Sequence, residues 1–165
     1  MKAASGSPRR TEPPLYDSGV IYLLRHGEAE RNGGDDAARR LTAEGKRQSE
    51  AAGKALATLG VAIDTCLTSP KVRAAETARL ACQELGIEVE IAVDLSEGGF
   101  DSPSLAAGRG EVMLVGHEPD FSNEIARLTG AKVKLRKGGL AIIDGNTLLA
   151  LLRPLELMVI AANHG

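Results

Sequence analysis

The regular alternation of two kinds of segment is the feature that most restricts how this 165-residue chain can fold. Short apolar runs, typical of buried strands, end abruptly at polar residues or glycine. Between them lie longer segments with apolar side chains at helical spacing, several of which end at glycine. The strands are predicted at 19–24, 61–68, 87–93 and 111–115, and the helices at 42–59, 69–85 and 118–128.

Strands that alternate with helices form a mostly parallel sheet, joined by right-handed crossovers, with helices on both faces. The sequence therefore predicts an α/β three-layer sandwich. The end of the chain differs, because 132–135, 140–144 and 147–152 are predicted as consecutive strands, with a hairpin turn at 144–146. We expect this hairpin to add antiparallel pairing at one edge of the sheet. Residues 155–161 suit either a last strand or a short helix.

Size, charge and composition exclude several classes of function. Residues 1–18 are rich in Ser, Pro and Gly and lack an apolar segment, so they are predicted to be a disordered tail of a cytoplasmic protein, followed by one domain at 19–165. The formal net charge is only −2, so no overall field draws the protein to nucleic acid or to an anionic membrane. No apolar run approaches the length of a membrane span. The oligomeric state is left open.

Chemically active side chains follow all four strands of the predicted parallel sheet. Arg25 and His26 follow the first, Arg73 comes soon after the second, Glu97 follows the third and His117 follows the fourth. Because ligands bind beyond the carboxyl ends of such strands, we expect these residues to lie around one crevice. Two arginines and two histidines there make a cationic pocket in a chain without overall positive charge, which indicates a small anion. Arginine's planar donor fork suits phosphate oxygens.

This set of residues predicts phosphoryl transfer through a histidine. A neutral imidazole at His26 can attack phosphorus, and the phosphohistidine formed can then be hydrolysed. Arg25, Arg73 and a protonated His117 would balance the charge of the transferring group. The arginines are expected to lower the pKa of His26, and a carbonyl near Gly27 or a carboxylate would set its tautomer. No cofactor is implied, and a metal site is disfavoured because arginines repel cations.

Four segments of the chain carry these residues in order: LRHGEA at 24–29, LTAEGKRQ at 41–48, TSPKVRAAETA at 68–78 and VGHEPD at 115–120. Together they resemble the signature of the histidine phosphatase superfamily, which includes the phosphoglycerate mutases. Residues 137–139 also resemble the late segment of the short SixA branch. The resemblance implies a phosphoglycerate mutase-like fold, His26 as nucleophile, and a phosphate pocket of Arg25, Arg73 and His117. The SixA branch removes phosphate from phosphohistidine on signalling proteins, which implies a phosphorylated protein as partner.

Two departures from the family pattern affect the finer assignments. Ala29 stands where mutase-type members usually have Ser or Thr, whereas Asn32 matches their asparagine and is a candidate substrate ligand. The long insertion that supplies a general acid in mutases is reduced here to 94–110, in which Glu97 is the first candidate acid and Asp94 the second. A phosphohistidine substrate needs less acid, because imidazole leaves more easily than an alkoxide.

Two other functions stay open from the sequence. One is a phosphomonoesterase or mutase of the same superfamily that acts on a small phosphate ester. The other is a module without catalytic activity that uses the pocket to bind a phosphorylated partner.

Overall fold

The computed structural model describes residues 19–31 and 34–163. The tail predicted at 1–18, the candidate ligand Asn32 and the last histidine, His164, lie outside the described residues.

A six-stranded sheet forms the centre of the molecule. Its strands are β1 (Ile21–Arg25), β2 (Thr65–Thr68), β3 (Val89–Ile91), β4 (Val112–Gly116), β5 (Leu140–Asp144) and β6 (Thr147–Leu152). They are arranged in the order β3-β2-β4-β1-β5-β6. The first four are parallel to one another, whereas β5 runs antiparallel to both β1 and β6. The predicted parallel sheet with an antiparallel edge is confirmed.

Helices cover both faces of this sheet and complete the predicted three layers. They are α1 (Ala43–Thr58), α2 (Val72–Leu85), α3 (Ser102–Ala106), α4 (Asp120–Thr129) and α5 (Pro154–Ala162). Strand β1 divides its side chains between two cores, because successive residues of a strand point to opposite faces. Tyr22 and Leu24 pack with residues of α1, α2 and α5. Ile21 and Leu23 pack with residues of α3 and α4.

Two of the predicted elements were wrong in detail. Residues 132–135 form no strand, because their side chains at Val133 and Leu135 pack into the second core without ladder pairing. The helix predicted from 69 begins only at Val72, with Lys71 as its N-cap. The hydroxyl of Ser69 is not a helix cap; it accepts a hydrogen bond from the Lys71 amide and contacts His117 instead.

The segment between β3 and β4, predicted as a loop, contains a 3₁₀ turn at Val93–Ser96 and the short α3. Leu95, Phe100 and Ala106 bury their side chains in the second core, so the segment is held against the sheet. The end of the chain forms helix α5, which decides between the two predicted alternatives. Within 19–31 and 34–163, no helix has the length and apolar character to cross a membrane.

The packing of α1 on the sheet can be tested by comparing two leucines that differ in burial. Leu56 is fully buried in the first core, whereas Leu59 is 49% exposed. We expect Leu56→Ala to lower the free energy of unfolding by about 2–5 kcal/mol, because it leaves a cavity. The control Leu59→Ala should change it by about 0.5 kcal/mol or less. Urea denaturation of both variants measures the difference; equal losses would contradict this packing.

Candidate active site

Strands β1 and β4 bring the two histidines of the predicted pocket together. The strands are parallel neighbours, and Arg25 at the end of β1 lies opposite Gly116 at the end of β4. The next residue on each strand is a histidine, and the amide of His26 donates to the carbonyl of Gly116 at 3.1 Å. The two imidazole centroids are therefore only 5.3 Å apart.

The backbone at Gly27 selects the tautomer of His26. Its Nδ1 lies 2.7 Å from the carbonyl oxygen of Gly27. Because a carbonyl only accepts, Nδ1 carries the proton and Nε2 keeps its lone pair. Gly27 itself is fixed, since its amide donates to Oγ1 of Thr77 at 3.0 Å. A side chain would not fit there, because a Cβ on Gly27 would come within 2.5 Å of the Gly45 carbonyl oxygen.

Ser69 sets the tautomer of His117, and it is the same one as in His26. Oγ of Ser69 accepts from the Lys71 amide at 3.2 Å and lies 2.8 Å from Nε2 of His117. If Nε2 carried the ring proton, both the hydroxyl hydrogen and Nδ1 would lack a partner among the described residues; the hydroxyl therefore donates to Nε2, and the ring proton is on Nδ1. That Nδ1 is buried and has no hydrogen-bond partner in the described chain. His117 therefore presents an N–H donor for which the described residues provide no acceptor.

Both histidines are neutral near pH 7. The pKa of His26 is lowered from 6.5 to about 3, first by burial and then by the charges of His117, Arg73 and Arg25, against the opposing hydrogen bond to Gly27. Burial likewise lowers the pKa of His117 to about 4, with Arg73 and Lys71 as the next causes. The protonated His117 expected from the sequence is therefore wrong for the free pocket. The arginines do act on His26 as expected, but burial is the larger cause.

Two guanidinium groups complete the pocket, and backbone carbonyls hold both of them. Arg73 is buried and donates through Nη1 to the Asp36 carbonyl at 2.8 Å. Arg25 donates through Nη1 to the Leu135 carbonyl at 2.9 Å. In each arginine, Nε is buried without a partner in the described residues.

The pocket thus contains three unused buried donors. Across residues 19–31 and 34–163, the buried side-chain nitrogen and oxygen atoms that lack a partner are Arg25 Nε, Arg73 Nε and His117 Nδ1. Buried polar groups are almost always hydrogen-bonded, and an unpaired one costs about 1–3 kcal/mol. Three such donors beside one unprotonated imidazole nitrogen match a ligand with several acceptor oxygens, such as a phosphoryl group.

Sequence reasoning missed two charged residues next to this pocket. Asp36, in a 3₁₀ turn, accepts from Nη2 of Arg73 at 3.2 Å, and Nζ of Lys71 lies 3.7 Å from the same carboxylate. Desolvation acts to raise the pKa of Asp36, but Arg73 and Arg39 outweigh it and hold that pKa below its ordinary value. No signal in the sequence pairs Asp36 with Arg73, because 28–40 has only the composition of a polar loop.

The structure does not bring Glu97 into this hydrogen-bonded group. Its side chain is exposed, and it makes no hydrogen bond or ion pair within the described ranges; Asp94 is exposed as well. Glu28 also lies outside this group, because its Oε1 accepts a hydrogen bond from Oγ1 of Thr42 at 2.7 Å.

The pKa of another carboxyl group, that of Asp120 at the start of α4, is raised. Burial and the charge of Glu118 raise it, although the charge of Lys71 opposes the shift.

The comparisons with known proteins agree with this geometry. The model of the histidine phosphatase superfamily, branch 1, matches residues 21–104. The chain belongs to the histidine phosphatase superfamily. It is therefore a phosphatase, which confirms the family and the enzyme class predicted from the motifs.

Three known proteins show the extent of the similarity. A phosphohistidine phosphatase SixA homolog of Haemophilus influenzae is 32% identical over 128 residues, which cover 68% of this chain and 78% of the homolog. The structure of SixA complexed with tungstate superposes with a TM-score of 0.76 at 22% identity, covering 84% of this chain and 99% of SixA. An alpha-ribazole phosphatase from Shigella flexneri gives a TM-score of 0.64 at 22% identity, covering 81% and 96%.

The tautomer of His117 can be tested by nitrogen NMR. We expect the ring to be protonated at Nδ1, and Ser69→Ala to give a mixture of tautomers, because the donor to Nε2 is lost. Ser96→Ala is a suitable control, since that hydroxyl donates to the Val93 carbonyl instead. The measurement is the pair of ring ¹⁵N shifts of His117 near pH 7. A single unchanged tautomer in Ser69→Ala would contradict the assignment.

The lowered pKa values predict a pH-dependent stability. Unfolded histidines bind protons near pH 6.5, whereas His26 and His117 do so only at about 3 and 4 in the folded pocket. Their stabilising contribution is therefore complete above pH 6.5 and is lost as the pH falls toward the folded pKa values. Urea midpoints at pH 7 and pH 5 should differ more for the wild type than for His26→Asn/His117→Asn. If the midpoint changed by the same amount between pH 7 and pH 5 in both proteins, the lowered pKa values of the two histidines would be refuted.

Proposed function

We propose that this phosphatase hydrolyses phosphohistidine on a protein, through a phosphoryl group carried on Nε2 of His26. One observation carries the proposal: a neutral imidazole, held by Gly27 with Nε2 free, lies beside three buried donors without partners. Asn32 stays a prediction as a further ligand, because it lies outside the described residues.

In the first step, the lone pair of Nε2 forms a bond to phosphorus while the phosphorus–nitrogen bond of the substrate breaks. The electron pair of that bond stays on the substrate's imidazole. The N–H groups of Arg25, Arg73 and His117 would donate to the equatorial oxygens, which carry most of the charge in the transition state. The proton on Nδ1 of His26 remains hydrogen-bonded to the Gly27 carbonyl, which stabilises the imidazolium-like ring that forms.

In the second step, a water oxygen attacks the phosphorus of the phosphorylated His26. The bond to Nε2 breaks, its electron pair returns to the imidazole, and a proton of the water passes to a phosphate oxygen. The products are inorganic phosphate and the starting neutral histidine. The same three donors serve both steps, because the transferred group keeps its oxygens in the pocket.

The choice of phosphohistidine follows from the leaving group. When the other ring nitrogen of the substrate is protonated, the departing group is neutral imidazole, which needs no acid. This requirement suits a pocket in which Glu97 is exposed and makes no hydrogen bond or ion pair among the described residues. The SixA homolog of Haemophilus influenzae gives independent support for this substrate class.

Trapping the intermediate tests the nucleophile. Incubation with radiolabelled phosphoramidate or phosphohistidine protein, followed by alkaline quench, should leave label on the wild type and none on His26→Ala. His164→Ala, which removes the third histidine of the chain, is the matched control and should be labelled normally. Label on His26→Ala would assign the nucleophile elsewhere.

Two arginines on α2 offer a matched test of the phosphate pocket. Arg73 is buried, whereas Arg79 is exposed on the same helix. We expect Arg73→Ala to lower kcat/KM by about 100- to 1,000-fold. This corresponds to a loss of about 2.7–4 kcal/mol of transition-state stabilisation, which is typical of one preorganised donor. Arg79→Ala should keep wild-type kcat/KM. Phosphoramidate hydrolysis provides the measurement, and an unaffected Arg73→Ala enzyme would refute the pocket.

A second candidate is hydrolysis of a small phosphate ester, favoured by the raised pKa of Asp120. A raised pKa brings a carboxyl group closer to the range in which it can act as a general acid toward an alkoxide. The charge of Lys71 acts on both Asp120 and His117, so the two groups share a neighbour. Asp120→Asn separates the candidates: it should reduce hydrolysis of alkyl phosphates and leave phosphoramidate hydrolysis unchanged. Rapid turnover of alkyl phosphates by the wild type, without activity on phosphohistidine, would favour this second function.

A further inference from the structure

The antiparallel edge of the sheet places additional cations beside the pocket. Because β5 runs opposite to β1, it begins at the edge where β1 ends, with Leu140 opposite Leu24. Strand β6 returns to that edge, with Leu152 opposite Leu140. Four basic side chains flank these strand ends, and we call them the basic face: Lys134, Arg136, Lys137 and Arg153.

Backbone hydrogen bonds connect the basic face to the catalytic segment. The carbonyl of Leu135 accepts from Arg25 at 2.9 Å, and its amide donates to the carboxylate of Glu118 at 3.0 Å. The amide of Gly138 donates to the His26 carbonyl at 2.9 Å. Gly138 has φ +77° and leaves no room for a Cβ, which would lie 2.9 Å from Cβ of Gln48. The basic face is therefore held at a fixed distance from His26.

Two adjoining clefts run along this face. The first, about 490 Å³ in volume, is lined by Arg25 together with Arg136, Lys137 and Arg153. The second, about 330 Å³, shares Arg136 and Arg153 and continues to Lys134. Arg25 lines the first cleft and also belongs to the phosphate pocket, so the surface is continuous with the site.

The charges on this face are largely uncompensated. Lys134, Arg136 and Lys137 are exposed and form no ion pair with any carboxylate among the described residues, and Arg153 alone is paired, with Glu156. Exposed apolar side chains lie among these cations: Leu151 lines the second cleft and is 39% exposed, and Leu155 lines the first and is 60% exposed. A surface of this kind, in a chain with a net charge of −2, complements an acidic protein surface.

We propose that the basic face binds carboxylates next to the phosphorylated residue of a protein substrate while that residue occupies the pocket. The inference rests on the proposed function, because it needs a phosphorylated protein as substrate. The two clefts together extend well beyond the space of a single phosphoryl group, and the exposed leucines provide apolar contact area. Both properties fit a protein segment better than a small ester.

Stable peptides allow the binding to be measured without turnover. Two synthetic peptides carry the phosphohistidine analogue phosphotriazolylalanine, flanked by aspartates in one and by serines in the other. Calorimetry should show the aspartate peptide binding the wild type about tenfold more tightly, the size expected of a few exposed ion pairs. Arg136→Glu/Lys137→Glu should abolish this preference, measured as the ratio of the affinities for the two peptides. Arg136→Ala/Lys137→Ala should reduce it and provides a second variant.

The matched control reverses two cations away from this face, Lys54 on α1 and Arg109 before β4. Lys54→Glu/Arg109→Glu should keep the full preference for the aspartate peptide. Equal affinity of the wild type for both peptides, or a preference that survives Arg136→Glu/Lys137→Glu, would overturn the proposal. So would tighter binding of a single-stranded oligonucleotide than of the aspartate peptide. Failure of the proposed function gives a different result: no label on His26 from phosphoramidate, with the peptide preference intact.

Discussion

The parallel pairing of β1 with β4 is the contact on which the rest of the site depends. In this register the last residues of the two strands, Arg25 and Gly116, lie opposite each other, and the histidines that follow are placed side by side. A shift by one residue would turn every side chain of the shifted strand to the other face of the sheet and separate the rings. The strand pair is buried on both sides, so the apolar cores hold the register and with it the geometry of the pocket.

The pocket is electrostatically unusual in that its positive charge is only partly balanced. Asp36 and two backbone carbonyls occupy some of the guanidinium donors, but three buried N–H groups stay unpaired within the described residues. Such groups destabilise the free protein. A bound phosphoryl group can remove this destabilisation, because its oxygens accept hydrogen bonds from all three. Burial also keeps both imidazoles neutral, which gives one a free lone pair and the other a neutral donor. The same burial therefore prepares two different chemical roles.

Charge is distributed unevenly around the site, which the net charge of −2 conceals. Toward β5 and β6 lie the cations of the basic face. Toward α4, a cavity of about 370 Å³ is lined by Asp101, Asp120 and Glu124 together with Arg127. A substrate would meet cations toward β5 and β6 and a mainly acidic cavity toward α4, so its own charge pattern would influence the orientation in which it binds. The local distribution of charge around the site therefore says more about substrate binding than the net charge of the chain does.

Local patterns in the sequence were sufficient to predict the sheet and most helices. They also predicted the pocket residues Arg25, His26, Arg73 and His117 near the carboxyl edge of the sheet. Each depends on interactions between near neighbours, such as the apolar period of β1 or the glycine that ends α2. The contacts that sequence could not supply join residues far apart in the chain: Asp36 with Arg73, Ser69 with His117, and Leu135 with both Arg25 and Glu118. Residues 132–135 were misassigned for the same reason, because their alternating pattern is equally satisfied by packing without strand pairing. The sequence by itself thus determined which chemistry the chain performs. Only the tertiary structure decided which nitrogen carries each proton, since that depends on the donor or acceptor that folding places beside it.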